Sequence, residues 1–273
     1  MRRRLFETYR HVKYVTLKRS RLNVRPTDCF VASWPRSGNT WLRYLLFHAL
    51  YPETNWDLPA LNSSMPSVAH PRLGRLLPDL EHQSFRMFKS HETYARYFLA
   101  GRVAYLVRDG RDAISSFFHY RTKLNQRRYT FHEYLDRSLS GKFHYGSWHE
   151  HVRGWLEQVD HPSLLIVRYE DLLGDPAQQL KRVLHHFGTT LSDDRIHCAV
   201  ERSSVENVNQ GFQRYAAEKH REFSGGRGGG SGRYQDVFDD QAEQLFNAHA
   251  GEVMQRLGYA SCETTSAFPT VPP

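Results

Sequence analysis

Arg36 stands in a polar loop, Ser33-Trp-Pro-Arg-Ser-Gly-Asn-Thr40, whose chemistry is that of an anion site. Before it runs Cys29 to Ala32, an apolar stretch suited to a buried parallel strand. After Asn39 the pattern turns helical and apolar-rich. Strand, tight loop and helix N-terminus together can aim several backbone N–H groups at one anion, and the helix dipole adds positive potential. A nucleotide-phosphate loop of the G-x-x-x-x-G-K-[ST] kind would need glycine at Ser33 and lysine at Asn39. Here the cation has moved to Arg36, inside the loop.

More polar groups fall at the ends of other apolar runs. Phe85 to Lys89 reads as a second strand, followed by Ser90, His91 and Glu92. Arg102 to Val107 is a third, running into Arg108-Asp-Gly-Arg-Asp112 and a helix from Ala113 to Tyr120 that carries Ser116. Polar clusters just past strand C-termini are where open α/β sheets bind ligands. Phe223 to Tyr234 holds six glycines with Arg227 and Arg233, a stretch able to close on a phosphate through amides and guanidinium groups. No His-Glu-x-x-His or Cys-x-x-Cys is present, so the sixteen histidines carry no metal motif.

To hold these groups together the chain needs a sheet. Ser163 to Arg168 is a fourth apolar run. Strand–helix alternation predicts an α/β fold, a central parallel sheet flanked by helices. Residues 121–162 read as amphipathic helix, with Phe131, Tyr134, Leu135, Leu139, then Trp148, Val152, Trp155 and Leu156 at spacings of three or four. Pro176 suits a helix N1 position after Asp175, and Gly188 a helix end. A helix opened by Ser192 runs to Val200, and a last one covers Asp239 to Leu257. Residues 51–82, with five prolines, read as a long excursion able to cover a second substrate.

The 273 residues carry a net charge of +8, all of it in residues 1–26, which hold nine cations and one anion. The other 247 balance at 28 of each sign, which argues against a nucleic-acid-binding body. We therefore divide the chain into a basic arm (1–26), one domain (27–260) and a Thr/Pro-rich tail (261–273) expected to be disordered. Apolar runs stay under ten residues, well short of the ~18 of a membrane span. The arm lacks the apolar core of a secretory signal, and three scattered cysteines suit a reducing, cytoplasmic compartment.

Taken together, the motifs over about residues 28–258 resemble the sulfotransferases that use 3′-phosphoadenosine 5′-phosphosulfate (PAPS). Trp34-Pro-Arg-Ser-Gly-Asn-Thr-Trp41 resembles that family's 5′-phosphosulfate loop, Y-P-K-S-G-T-T-W, with Arg36 in the place of its catalytic lysine. Arg108 and Ser116 are similar to its 3′-phosphate pair at the same eight-residue separation, Gly110 replacing a frequent proline. Arg168-Tyr169-Glu-Asp-Leu resembles its Y-E-D-L segment, and Ser203-Ser204-Val205 its adenine-contacting Thr-Ser-Phe. Arg227-Gly-Gly-Gly-Ser-Gly-Arg-Tyr resembles R-K-G-x-x-G-D-W, with Gly228 for the lysine and Gly229 retained.

The resemblance implies a P-loop-like fold and in-line transfer of the sulfuryl group to a hydroxyl or amine, with PAPS as co-substrate and no metal. Arg36, Ser37, Gly38, Asn39, Thr40 and Trp41 would hold the phosphosulfate; Arg108, Ser116, Arg227, Gly228 and Gly229 the 3′-phosphate; Tyr169 and Ser204 the adenine end. Arg36 would stabilise charge on the leaving phosphate, helped by Lys89. His91, in a segment similar to the family's Lys-x-His, would be the general base, with Glu92 as the alternative. The acceptor would be a small molecule, lipid or glycan, and the arm could touch a membrane surface. Two other readings compete: a P-loop nucleotide or small-molecule kinase, and a basic-armed binder of nucleic acid or membrane.

Overall fold

Four parallel strands carry the near-continuous apolar runs: β1 (Cys29–Ser33), β2 (Met87–Ser90), β3 (Arg102–Val107) and β4 (Leu164–Arg168). Their order is β2-β1-β3-β4. This is a computed structural model, and it describes residues 22–53, 58–70, 73, 86–123, 129–218 and 230–259. The basic arm up to residue 21, most of 71–85, the glycine-rich stretch up to 229 and the tail from 260 lie outside the described residues.

Strand alternation sends side chains to two cores, so the sheet is covered on both sides. Phe30, Trp34, Phe88, Val103 and Tyr105 pack against helices α3 (Gly110–Lys123), α4 (Phe131–Leu139), α5 (Trp148–Leu156) and α10 (Asp240–Arg256). Val31, Met87, Ala104, Leu106 and Val167 face α1 (Asn39–Leu50), α2 (Leu58–Ser64), α7 (Pro176–His186) and α8 (Asp193–Arg202). Two further helices are α6 (Tyr169–Gly174) and α9 (Val205–Glu218).

In register, Ser33 lies beside Leu106 and Ala32 beside Ser90, while Val107 pairs with Arg168. All four strands therefore end at one edge. The chain leaves β1 for a helix on one face and leaves its neighbour β3 for a helix on the other. That divergence opens the crevice in which such sheets take ligands. At the opposite end, buried Arg86 pairs with Asp28 through Nε–Oδ1 (2.7 Å) and Nη2–Oδ2 (2.5 Å), and the Asp28 carbonyl accepts the Arg102 amide (2.8 Å). The ion pair ties the starts of β1 and β2, and the Asp28 carbonyl ties β3 to them.

The predicted strands appear within two residues of their expected bounds. Pro176 stands at N1 behind Asp175, whose side chain accepts the Gln178 amide at 2.9 Å. Gly188 closes that helix at φ +83°. One expectation is narrowed: the amphipathic helix of 121–162 is confined to α4 and α5, which carry the two apolar sets. It breaks over 140–147, where Gly141 (φ +64°) and Gly146 (φ +70°) adopt left-handed backbone that a helix interior does not allow. Each half has its own start, a capping box at Thr130 and a Ser147 cap. Helix α9 is a further element, not evident from the sequence. Among the described residues no helix is long and apolar enough to cross a membrane.

Candidate active site

The loop between β1 and α1 is held by backbone conformation before any side chain acts. Arg36 (φ +66°) and Gly38 (φ +96°) are both left-handed. For a non-glycine residue that conformation costs on the order of 1–3 kcal/mol, and here it falls on the residue carrying the loop's cation. Gly38 has a second constraint, since a Cβ there would lie 2.6 Å from Tyr169 Cδ2. No acceptor among the described residues takes the amides of Ser37 to Thr40. The Ser37 hydroxyl is buried and also unpartnered among them. Orphan donors in a buried turn at a helix N-terminus are what an anionic group satisfies.

Two guanidinium groups meet here. Arg36 Nε donates to Ser116 Oγ (3.1 Å) from the first turns of α3, and its Cζ sits 5.1 Å from the Tyr120 ring centre. Arg108, at the end of β3, donates to the Arg36 carbonyl (Nη1, 3.2 Å) and to the Gly230 carbonyl (Nη2, 2.7 Å). It lies over the Tyr169 ring at 4.5 Å, and the Tyr169 hydroxyl accepts the Gly230 amide at 3.3 Å. Burial pulls the Arg36 pKa below its ordinary value, and Arg108 beside it pushes the same way. Arginine's high intrinsic pKa keeps the charge nonetheless. The eight-residue separation of Arg108 and Ser116 thus brings both to Arg36, and Tyr169 from β4's end completes the wall.

His91 follows β2. Its Nδ1 lies 2.9 Å from the Ser33 carbonyl, which can only accept, so Nδ1 carries the proton and Nε2 is left as the basic nitrogen. Burial, with the Lys89 ammonium next in effect, pushes His91 down to about 3, against the opposing pull of the Ser33 carbonyl. The ring is therefore neutral at physiological pH. Burial pushes Lys89 down to about 8, with Arg43 adding to the shift. Behind His91, His151 Nε2 donates to the His91 carbonyl (3.3 Å) while Tyr105 Oη donates to His151 Nδ1 (2.9 Å). In the sequence His151 reads only as a histidine without metal partners; nothing local signals this contact.

Aromatic rings border the base. Tyr145 meets His91 edge-on at 5.7 Å, Phe117 lies 6.3 Å from Tyr145, and Trp34 packs on Phe117 at 5.4 Å. The 140–147 break places Tyr145 here, and Trp34 Nε1 pins it by donating to the Gly146 carbonyl at 3.4 Å.

Other expected site residues have different surroundings. Asn39 turns its side chain into the sheet, Nδ2 donating to the Val31 carbonyl (3.0 Å) and Ser33 Oγ (3.3 Å). Trp41 Nε1 donates to the Ser203 carbonyl (2.8 Å), and its ring meets Tyr169 edge-on at 6.1 Å. Ser204 Oγ accepts the Asn207 amide (3.2 Å) at the start of α9. Thr40 lies in the first turn of α1. Glu92, the alternative base, has its carboxylate on the Tyr97 hydroxyl at 3.0 Å. Arg227, Gly228 and Gly229 lie outside the described residues. Among the described residues no cluster of three or more His, Cys, Asp or Glu is arranged to hold a metal ion.

Residues 26–258 match the family described as "Sulfotransferase domain". The chain is 26% identical to Sulfotransferase 1A1 of Bos taurus over 252 residues, 84% of each protein. It is 27% identical to 3-alpha-hydroxysteroid sulfotransferase of Cavia porcellus over 203 residues, 70% of this chain and 69% of that one. Among solved structures, a retinol dehydratase in complex with androsterone and PAP superposes with a TM-score of 0.72 at 19% identity, over 94% of this chain and 87% of that one. Mouse sulfotransferase SULT7A1 complexed with PAP gives 0.67 at 20% identity, over 87% and 90%. At those identities the structural likeness speaks to the fold.

Proposed function

The chain belongs to the sulfotransferase-domain family, and from that premise we propose that it moves a sulfuryl group from PAPS to a hydroxyl, or an amine, of a small acceptor. The observation that carries the assignment of roles is the meeting of Arg36, Arg108 and Ser116 beside the unpartnered amides of the loop. The donors fit a phosphosulfate: they are cationic or N–H, several are orphaned, and the buried Ser37 hydroxyl lacks a partner among the described residues.

When bound, PAPS supplies the sulfuryl group. The loop amides, Ser37 and Thr40 hold its 5′ end, and Arg108 with Ser116 its 3′-phosphate. The loop from Ser33 to Thr40 contains no lysine; Arg36 supplies charge without readily donating a proton. His91 Nε2 accepts the acceptor's proton, and Lys89 adds positive potential on the sulfuryl side. Holding both reactants in one crevice turns a bimolecular transfer into an oriented one.

The rings of Tyr145, Phe117 and Trp34 beside His91 favour an apolar acceptor that presents one hydroxyl. The retinol dehydratase neighbours were solved with androsterone and with retinol; we propose an acceptor of that kind here, ahead of a glycan or a charged lipid headgroup. A cytoplasmic location, and the division into arm, domain and tail, belong to the same reading.

Calorimetric titration tests it. Without metal, 3′,5′-ADP should bind tightly and Mg-ATP weakly. Clear Mg-ATP binding with no response to 3′,5′-ADP would replace this reading by the kinase.

A second prediction concerns protonation. Since the folded environment lowers the His91 pKa, the neutral ring persists as pH falls. In the ligand-free protein, nitrogen NMR should find the His91 imidazole in the Nδ1–H form throughout about pH 5 to 8, the window in which an ordinary histidine titrates. A midpoint near the ordinary histidine value of about 6.5 would contradict the geometry.

A further inference from the structure

On the reading that Arg108 belongs to the 3′-phosphate site, we infer that Asp112 is the positioning residue that keeps Arg108 and the 230–234 segment in register. Asp112 is buried in the first turn of α3. An acid there is ordinarily explained by the helix dipole. Its carboxylate is occupied differently. Oδ2 accepts the Gly232 amide (2.8 Å) and the Ser231 hydroxyl (3.3 Å), and Oδ1 accepts the Tyr234 amide (2.9 Å). Three donors from one distant segment, 119 to 122 residues away in sequence, converge on one side chain.

The same carboxylate faces Arg108, with Nη2 3.6 Å from Oδ2. That nitrogen also donates to the Gly230 carbonyl. A closed circuit results: Arg108 to Asp112, Asp112 to Ser231 and Gly232, Gly230 back to Arg108. Tyr169 spans it, under the Arg108 guanidinium and accepting the Gly230 amide. Gly232 is left-handed (φ +81°), a conformation that helps neighbouring amides converge on one anion. Here Asp112 is that anion. The end of the glycine-rich stretch is further fixed by Arg111, stacked on Tyr234 at 4.1 Å and paired with Asp109 at 2.7 Å.

The arrangement sets direction as well as place. At 3.6 Å Asp112 attracts Arg108 without the bidentate pairing that would use up its planar fork. The guanidinium stays aimed and retains donors for a phosphate. Without Asp112, Arg108 would keep its charge and its contact to the Gly230 carbonyl, but the Gly232 and Tyr234 amides that hold that segment in place would lose their acceptor.

The experiment measures the preference for 3′,5′-ADP over 5′-AMP, which lacks the 3′-phosphate, in wild type, Arg108→Ala, Asp112→Asn and the double variant. Asp112→Asn keeps the shape but replaces an acceptor oxygen by a donor NH2. It should weaken 3′,5′-ADP binding roughly ten- to hundredfold and leave 5′-AMP binding nearly unchanged. The double variant should be little worse than Arg108→Ala alone, because the two act as a unit. Equal weakening of both nucleotides, an unchanged preference, or additive losses would overturn the assignment. Should Asp112→Asn fail to fold, Ser231→Ala at an exposed position gives the same readout: a smaller loss of preference supports the inference and no loss overturns it. A wild type without any preference for 3′,5′-ADP would sink the sulfotransferase roles themselves; a wild-type preference that survives these substitutions sinks only Asp112.

Discussion

His91→Ala is expected to lower kcat by about 10²–10⁴-fold, the usual worth of a positioned general base, while 3′,5′-ADP binds as in wild type. The separation of the two readouts follows from where His91 sits. It follows β2, while Arg36 and Arg108, the guanidinium groups assigned to the nucleotide, come from the β1 loop and the end of β3. Its proton is held on Nδ1 by the Ser33 carbonyl at 2.9 Å, leaving Nε2 to accept another. A base is of use only while neutral, and burial with the neighbouring Lys89 charge keeps it neutral. The same desolvation weakens it as a base, so its contribution depends on position more than on basicity. Glu92→Ala provides the comparison, because the Tyr97 hydroxyl already engages that carboxylate at 3.0 Å. Its kcat loss should be much smaller. A variant His91→Ala that retains most of kcat, or that loses nucleotide binding in parallel, would remove His91 from the role of base.

Much of this site was legible because its parts stand at strand ends, and strand ends are local. Cys29 to Ala32 and Arg102 to Val107 announce themselves as apolar runs, and a parallel sheet then carries Arg36, His91, Arg108 and Tyr169 to one edge. Contacts between distant segments left no such trace. Asp112 reads locally as a helix-start acid, and only the fold brings Ser231 and Gly232 to it. His151 reads as one histidine among sixteen until Tyr105 is found on one side of it and the His91 carbonyl on the other. The break at 140–147 was hidden because amphipathic spacing resumes after it. Gly141 and Gly146 are the local signal for it, and the apolar spacing on either side carries no trace of the break.

Arg36→Ala should lower kcat by roughly 10²–10³-fold, the scale for losing one preorganised donor to developing charge. Charge grows on the bridging oxygen of the leaving phosphate as the sulfuryl group departs, so a cation there counts for more in the transition state than before it. The guanidinium is preorganised for this charge. The backbone of Arg36 is left-handed, Nε is tied to Ser116 at 3.1 Å, and the guanidinium lies over Tyr120. Little reorganisation remains to be done at the moment of transfer. Lysine at this position would regain a proton donor but would lose both the Nε tether and the planar face against Tyr120. Arg36→Lys is therefore expected to fall between wild type and Arg36→Ala. Single-turnover rates with saturating PAPS separate the cases. If Arg36→Ala raised KM for PAPS and left kcat untouched, Arg36 would be contributing uniform binding and the stabilising charge would have to come from Lys89.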